Sequence, residues 1–343
     1  MRYFFIGTDE AGYGPNLGPL SVSASLWSAD FPRCDDPLSL LNLRGGACFS
    51  QSHRIQICDS KKLYHSGRIF PLERSFFYAF EKGNVQEKTL RLSNRTELST
   101  NPFSFDWLRL VQSLSISPDS EIFYSPPWEQ EVAFSLPLTE TDYWQDEFQS
   151  DYDDTEQILE GEGISLQKIV NRRIQPQEYN LLVDSLGLKS EVLAQATMHT
   201  ASALLTPLIA DERTEKNIFL CCDKLGGRNR YGDLLARFFP EMMFQIVTES
   251  RDVSRYIFPL SNGSVTILFQ AKGESNLPSA MASIVSKYVR EISMKSFNEY
   301  WQRRIPDLEP TAGYPVDAKR FREETQIERQ NLGVDDELFW RKK

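Results

Sequence analysis

Apolar positions along this chain follow two periods, one close to two residues and one close to a helical turn. Tyr3-Phe4-Phe5-Ile6 is a continuous aromatic and β-branched run closed by Gly7, the pattern of a buried strand. Residues 20–27 alternate apolar with small polar residues, as a half-buried strand does. Further strands are predicted at 54–58, 165–174, 217–222, 244–247, 255–260 and 264–270, the last two joined through Asn262-Gly263, a hairpin-turn pair. Helical spacing predicts helices over 69–80, over 190–210 and from Pro278 to 291. In the last, Ser279, Ser283, Lys287 and Arg290 form a polar stripe. His199, in the second, reads as a partly buried helix residue with a satisfied ring. Strands interleaved with helices predict an α/β fold.

Residues 81–163 fit neither period for long. Short alternating pieces at 89–92 and 131–134, broken by Pro126-Pro127-Trp128, predict a small β-rich insertion. Its end, 140–162, holds no Lys or Arg but includes Asp142, Asp146, Glu147, Asp151, Asp153, Asp154, Glu156 and Glu160. The formal net charge of −10 is therefore partly local, and the remainder of the chain is near neutral. That matters because a phosphate backbone is bound by local Lys and Arg, not by net charge.

With 41% hydrophobic and 25% charged residues, the 343-residue composition is that of a globular protein with a sizeable core. No continuous apolar run is long enough to predict a spanning helix. The five cysteines form no Cys-x-x-Cys pair, and their odd number argues against a disulfide framework, so a reducing, cytoplasmic setting is expected.

The candidate chemistry lies at strand ends. Asp9 and Glu10 follow the first apolar run and precede Gly12, Gly14 and Gly18, interleaved with Pro15 and Pro19. A carboxylate at the end of a core strand needs pairing, hydrogen bonds or a cation. Solvated acids in a tight turn are the alternative reading, and the spacing fits neither a dinucleotide-binding loop nor a phosphate loop. Asp223 repeats the arrangement after the apolar run 217–222, where a turn-forming Asp is again the alternative. Lys61 and Lys62 sit at a predicted helix start, a poor place for cations with respect to the helix dipole. Arg228 and Arg230, behind Gly226-Gly227, are candidates for phosphate contact or simply a solvated loop.

These residues resemble the ribonuclease HII family. Asp9-Glu10-Ala11-Gly12-Tyr13-Gly14-Pro15, with Leu17-Gly18-Pro19-Leu20, is similar to its opening motif. Asp59-Ser60-Lys61-Lys62-Leu63, Lys272-Gly273-Glu274 followed by Ser283-Ile284 and Lys287, and Gly313-Tyr314-Pro315 resemble its later motifs in the same order. Two positions depart from the pattern: Tyr13 stands for the family's Arg, and Glu274 for its Asp, with one residue fewer before the helix.

The resemblance implies a ribonuclease H-like fold with a mixed central sheet flanked by helices. It implies a discontinuous catalytic core, 1–80 and 164–304, interrupted by the insertion 81–163 and followed by a helical extension, 305–343. It further implies two Mg²⁺ or Mn²⁺ ions on Asp9, Glu10, Asp223 and Glu274. Substrate contacts are implied at Gly12, Tyr13, Gly14, Lys61, Lys62, Ser283, Lys287 and Tyr314, with the Arg228 and Arg230 loop beside them. The activity implied is hydrolysis of the RNA strand of RNA/DNA hybrids, or of ribonucleotides embedded in duplex DNA, by a monomer with nucleic acid as its partner. A nuclease for another nucleic acid and a non-catalytic binding module are the competing readings.

Overall fold

The computed structural model describes residues 1–45, 55–65, 67–83, 104–116, 125–271 and 276–342. Its centre is a seven-stranded mixed sheet flanked by helices, as expected. The strands are β1 (Arg2–Ala11), β2 (Leu20–Asp30), β5 (Ile164–Ile174), β6 (Lys216–Asp223), β7 (Gln245–Glu249), β8 (Val253–Leu260) and β9 (Gly263–Gln270), in the order β5-β2-β1-β6-β9-β8-β7. β1, β2 and β5 form an antiparallel meander. β6 runs parallel to β1 and β9 parallel to β6, with the β7-β8 hairpin completing the far edge.

Alternation along the strands sends side chains to two cores. Tyr3, Phe5 and Phe219 face one of them. There they meet α3 (Phe70–Gly83) and α11 (Leu277–Gln302), through Phe76, Phe77, Tyr288 and Ile284. Phe4, Ile6, Ile218 and Leu220 face the other, against α9 (Lys189–Ala210). α9 is the one described helix whose length and apolar composition match a membrane span; here it lies on the sheet with Val192, Ala196 and Leu204 buried.

Two expectations are corrected. The insertion is helical rather than β-rich among its described residues. It carries α4 (Trp107–Leu114), α5 (Pro127–Glu131), α6 (Tyr143–Asp146) and α7 (Phe148–Gly161), and only the two-residue strands β3 (Phe105–Asp106) and β4 (Ser135–Leu136). In α4 the buried Trp107, Leu110, Val111 and Leu114 lie on one helical face, and Asp106 caps the start by accepting from the Arg109 N–H at 2.9 Å. Its apolar side joins the core of α3 and α11, so the segment shares their packing. The second correction concerns 54–58. Arg54 lies outside the described residues, and 55–58 form no strand although Ile55 and Ile57 are buried. The Gln56 carbonyl accepts from the Ser75 hydroxyl at 2.6 Å instead of joining a ladder.

Two smaller helices, α1 (Pro37–Gly45) and α2 (Ser60–Leu63), complete the sheet's first flank, while α8 (Pro176–Leu186), after β5, joins α9 on the second through Tyr179, Leu182 and Val183. α10 (Gly232–Phe238) follows β6. Beyond α11, the helices α12 (Pro315–Glu324), α13 (Gln326–Leu332) and α14 (Asp336–Phe339) pack Ala318, Phe321 and Phe339 against Phe297, Trp301 and Leu17.

Candidate active site at the carboxyl ends of the central strands

β1 and β6 run side by side in parallel, with Gly7 level with Cys221. Two residues further along both strands stand Asp9 and Asp223. Because side chains alternate, they share a face with Phe5 and Phe219, whose rings stack at 5.4 Å between centroids. This is the face covered by α11. Asp9 is buried and Asp223 half-buried. Glu10, half-buried, has the opposite phase and approaches Tyr13, whose phenol is pushed up first by burial and then by Tyr179 and Glu10. On the same opposite face the Thr8 hydroxyl bonds Cys222, whose burial raises the thiol to about 12 and keeps it inert.

α11 is pressed against this strand end. A Cβ on Gly7 would lie 2.2 Å from the Ser279 nitrogen, so only glycine lets the first turn come this close. Ser25, level with Gly7 on β2, donates to the Pro278 carbonyl at 2.7 Å, and the Asn276 side chain caps the helix by accepting from the Ser279 N–H at 2.9 Å. Two turns on, the Ser286 hydroxyl donates to the Asp9 carbonyl at 2.8 Å. Ser283 meets Ser60 of α2 at 2.9 Å between hydroxyl oxygens, which fixes the segment carrying the exposed Lys61 and Lys62. Lys287 bonds Glu291 at 2.6 Å and lies 4.4 Å over the Tyr64 ring, whose phenol is pushed up to about 12 by burial and then by Glu291.

The chain from Gly12 to Leu20 folds over this region. Gly12 has φ +87°, and a Cβ there would strike Arg290. Arg290, 4% exposed, donates to the carbonyls of Pro19 at 2.6 Å, Leu17 at 3.3 Å and Ala312 at 3.0 Å. The Asn16 N–H donates to the Gly313 carbonyl at 2.7 Å, which brings Gly14 and the exposed Tyr314 ring together. Tyr314 and Lys287 line a cleft of about 580 Å³ with Tyr64, Leu138, Lys295 and Asn298.

The structure thus gathers Asp9, Asp223, Gly12, Gly14, Ser283, Lys287 and Tyr314 along α11, from Ser279 to Met294. It sets Arg228 apart, paired with Glu191 of α9 on the opposite side of the sheet. Arg230 points outward, 3.8 Å from Glu249. Tyr13 lies under Lys189, whose ammonium is 5.1 Å from its ring. Glu274, with Lys272 and Gly273, lies outside the described residues. β9 ends at Gln270, level with Asp223, and α11 begins under the cap of Asn276.

Asp9, Glu10 and Asp223 are all oxygen donors, the chemistry that suits Mg²⁺ or Mn²⁺ and not a soft metal. Among the described residues no three His, Cys, Asp or Glu side chains gather closely enough to hold an ion. Sequence reasoning missed Ser286 and Arg341. A Ser in a helix carries no sign of the strand carbonyl it meets. Arg341, followed by two lysines in the sequence, is 1% exposed beneath the glycine-rich loop.

No protein-family model matches the chain, and no curated protein matches it. Among solved structures it is similar to the RNase HII of Archaeoglobus fulgidus in its complex with PCNA, at 12% identity over 98% of this chain and 93% of that one, with a TM-score of 0.38. It is similar to ribonuclease H2 from Pyrococcus horikoshii at 13% identity, over 98% and 92% of the two chains, with a TM-score of 0.38. A third similar structure is Bst-RNase HIII in complex with Mn²⁺, at 13% identity over 98% and 66%, with a TM-score of 0.38. TM-scores below 0.5 give these likenesses no weight for residue roles, which rest on the strand register and the motif residues.

Proposed function

We propose that the protein is a metal-dependent endonuclease that hydrolyses the RNA strand of RNA/DNA hybrids or ribonucleotides embedded in duplex DNA. The observation that carries this reading is that two adjacent parallel strands, paired as far as Gly7 and Cys221, each carry an acid two residues further on, Asp9 and Asp223, of the same phase. The order of motifs along the chain supports it. In this reading Asp9 and Asp223, with Glu274, would hold Mg²⁺ or Mn²⁺, while Glu10, of opposite phase on β1, faces Tyr13. Divalent ions held there would neutralise charge on the scissile phosphate and activate a water.

The chain's own residues do the rest. Lys61, Lys62 and Lys287 draw the phosphodiester backbone to a protein whose overall charge repels it. The exposed Tyr314 ring offers a stacking face for the nucleotide at the junction. Gly12 and Gly14, without side chains, let backbone groups approach the ribose 2′-hydroxyl, the group that tells RNA from DNA. The same reading sets the enzyme in a reducing, cytoplasmic compartment, acting as a monomer.

The test is cleavage of an end-labelled DNA duplex containing one ribonucleotide, beside an RNA/DNA hybrid and an all-DNA duplex, with Mg²⁺ or Mn²⁺. A cut at the ribonucleotide that Asp9→Asn and Glu274→Gln both abolish is the expected result. Folded protein that cuts none of the three with either metal would overturn the reading.

A further inference from the structure

Arg341 makes four bonds to one loop. Its guanidinium donates to the carbonyls of Gly12, at 2.6 Å, and Pro15. Its backbone N–H donates to the Asn16 carbonyl at 2.8 Å, and its own carbonyl accepts from the Asn16 side chain at 3.3 Å. The residue is itself fixed: its guanidinium lies 4.9 Å over the Tyr179 ring. On either side of it, Asn180 donates to the Trp340 carbonyl at 2.8 Å and accepts from the Lys342 N–H at 2.8 Å.

Arg290 holds the other half of the loop through Leu17 and Pro19. The carbonyls of Gly12, Pro15, Leu17 and Pro19 are therefore turned inward onto two guanidinia. In a trans peptide the next residue's N–H points the opposite way from the carbonyl. Fixing the Gly12 carbonyl thus fixes the Tyr13 N–H, facing away from Arg341. Burial, with Arg290 nearby, holds the Arg341 guanidinium down to about 9. Two cations buried side by side are costly, so an apolar side chain of similar length in place of Arg341 leaves the core intact.

We propose that Arg341 is a positioning residue: it sets the conformation of the loop from Gly12 to Gly18 and, through it, discrimination of the 2′-hydroxyl at the cleavage junction. The second half of this statement rests on the nuclease reading; the first does not. Two variants, Arg341→Met and Arg341→Lys, test it by two readouts. Amide hydrogen exchange at Asn16 and Leu17, both bonded to the Gly313 carbonyl, is expected to accelerate about ten-fold or more in Arg341→Met, with α9 and β6 unchanged. Arg341→Lys, which retains one cationic donor, is expected to restore part of the protection. Cleavage of the single-ribonucleotide duplex is expected to lose about ten-fold in kcat/KM, carried by KM, while an RNA/DNA hybrid with many 2′-hydroxyls in register loses less.

Unchanged exchange at Asn16 and Leu17 in folded Arg341→Met, or acceleration spread equally over α9 and β6, would overturn the positioning role. Equal losses on the two substrates would overturn the role in discrimination. If the wild-type protein cuts neither substrate, the nuclease reading and the discrimination role fall together, and the exchange result still decides whether Arg341 positions the loop.

Discussion

Gly7→Ala is the sharpest probe of how the sheet positions the site. The added Cβ would lie 2.2 Å from the Ser279 nitrogen, 2.3 Å from the Pro278 carbonyl carbon and 2.6 Å from the Pro278 Cβ. Two of these atoms are backbone, at the start of a buried 26-residue helix, so no side-chain rotation relieves the overlap. Ordinary contact begins near 3.4 Å, against 2.2 Å here, so α11 must retreat from β1 by about 1 Å. Ser25 opposes that movement through its 2.7 Å bond to the Pro278 carbonyl, and Trp27 steadies Ser25 at 2.9 Å. Overpacking of this kind costs about 3 kcal/mol. In a chain of this size that lowers the Tm by roughly 4 °C. The retreat also carries Ser286 away from the Asp9 carbonyl, and a displacement of about 1 Å at a reacting centre costs on the order of 100-fold in rate. The assay pairs a melting curve with single-turnover cleavage at 25 °C, where the variant remains folded. A variant that melts within 1 °C of the wild type and cuts at the wild-type rate would refute the claim that this contact sets the geometry.

Glu73→Gln tests the joint between the insertion and the core. The fully buried carboxylate accepts from the Leu138 N–H at 2.6 Å, the Tyr288 hydroxyl at 2.7 Å and the Thr139 N–H at 3.0 Å, and a Gln amide turns a donor toward one of them. A loss of about 3 kcal/mol in urea unfolding is expected, and a loss below about 0.5 kcal/mol would contradict the assignment. Ser283→Ala leaves the Ser60 hydroxyl without its 2.9 Å partner and loosens the segment bearing Lys61 and Lys62. We expect about 1 kcal/mol of destabilisation and a KM raised several-fold at unchanged kcat; a fall in kcat alone would count against it. Lys287→Met should make duplex binding less salt-dependent, the log–log slope becoming shallower by about 0.9 if the ammonium meets one phosphate. An unchanged slope would remove Lys287 from the binding surface.

The parts of this fold legible in the sequence are those whose signal is local and repeated. β1 and β6 are apolar runs that end in acids, and they pair side by side as far as Gly7 and Cys221, two residues short of Asp9 and Asp223. α9 declares itself by periodicity over nearly its whole length, and α11 over its first half, as far as Glu291. In the insertion the signal is too short or hidden. α4 spans eight residues, and α7 buries only Phe148, Thr155 and Leu159 among a run of acids. Ile55 and Ile57 show the period of a strand because alternate residues face the core, but among the described residues no strand pairs with them. Arg341 offers no local sign at all: an arginine between an aromatic and two lysines looks solvated, and its burial is decided by Gly12 and Pro15, far away in sequence.

The bond from Arg341 to Gly12 joins positions 329 residues apart. Closing so long a stretch of chain is entropically slow compared with pairing β1 to β2 or packing α9, so order in the glycine-rich loop is expected to arrive late in folding. Refolding from urea should therefore show two separated events: fluorescence reporting burial of Trp27 between sheet and helix, then a delayed return of cleavage. The time taken to acquire activity would be paced by the docking of one distant segment, after the sheet that carries the carboxylates is already built.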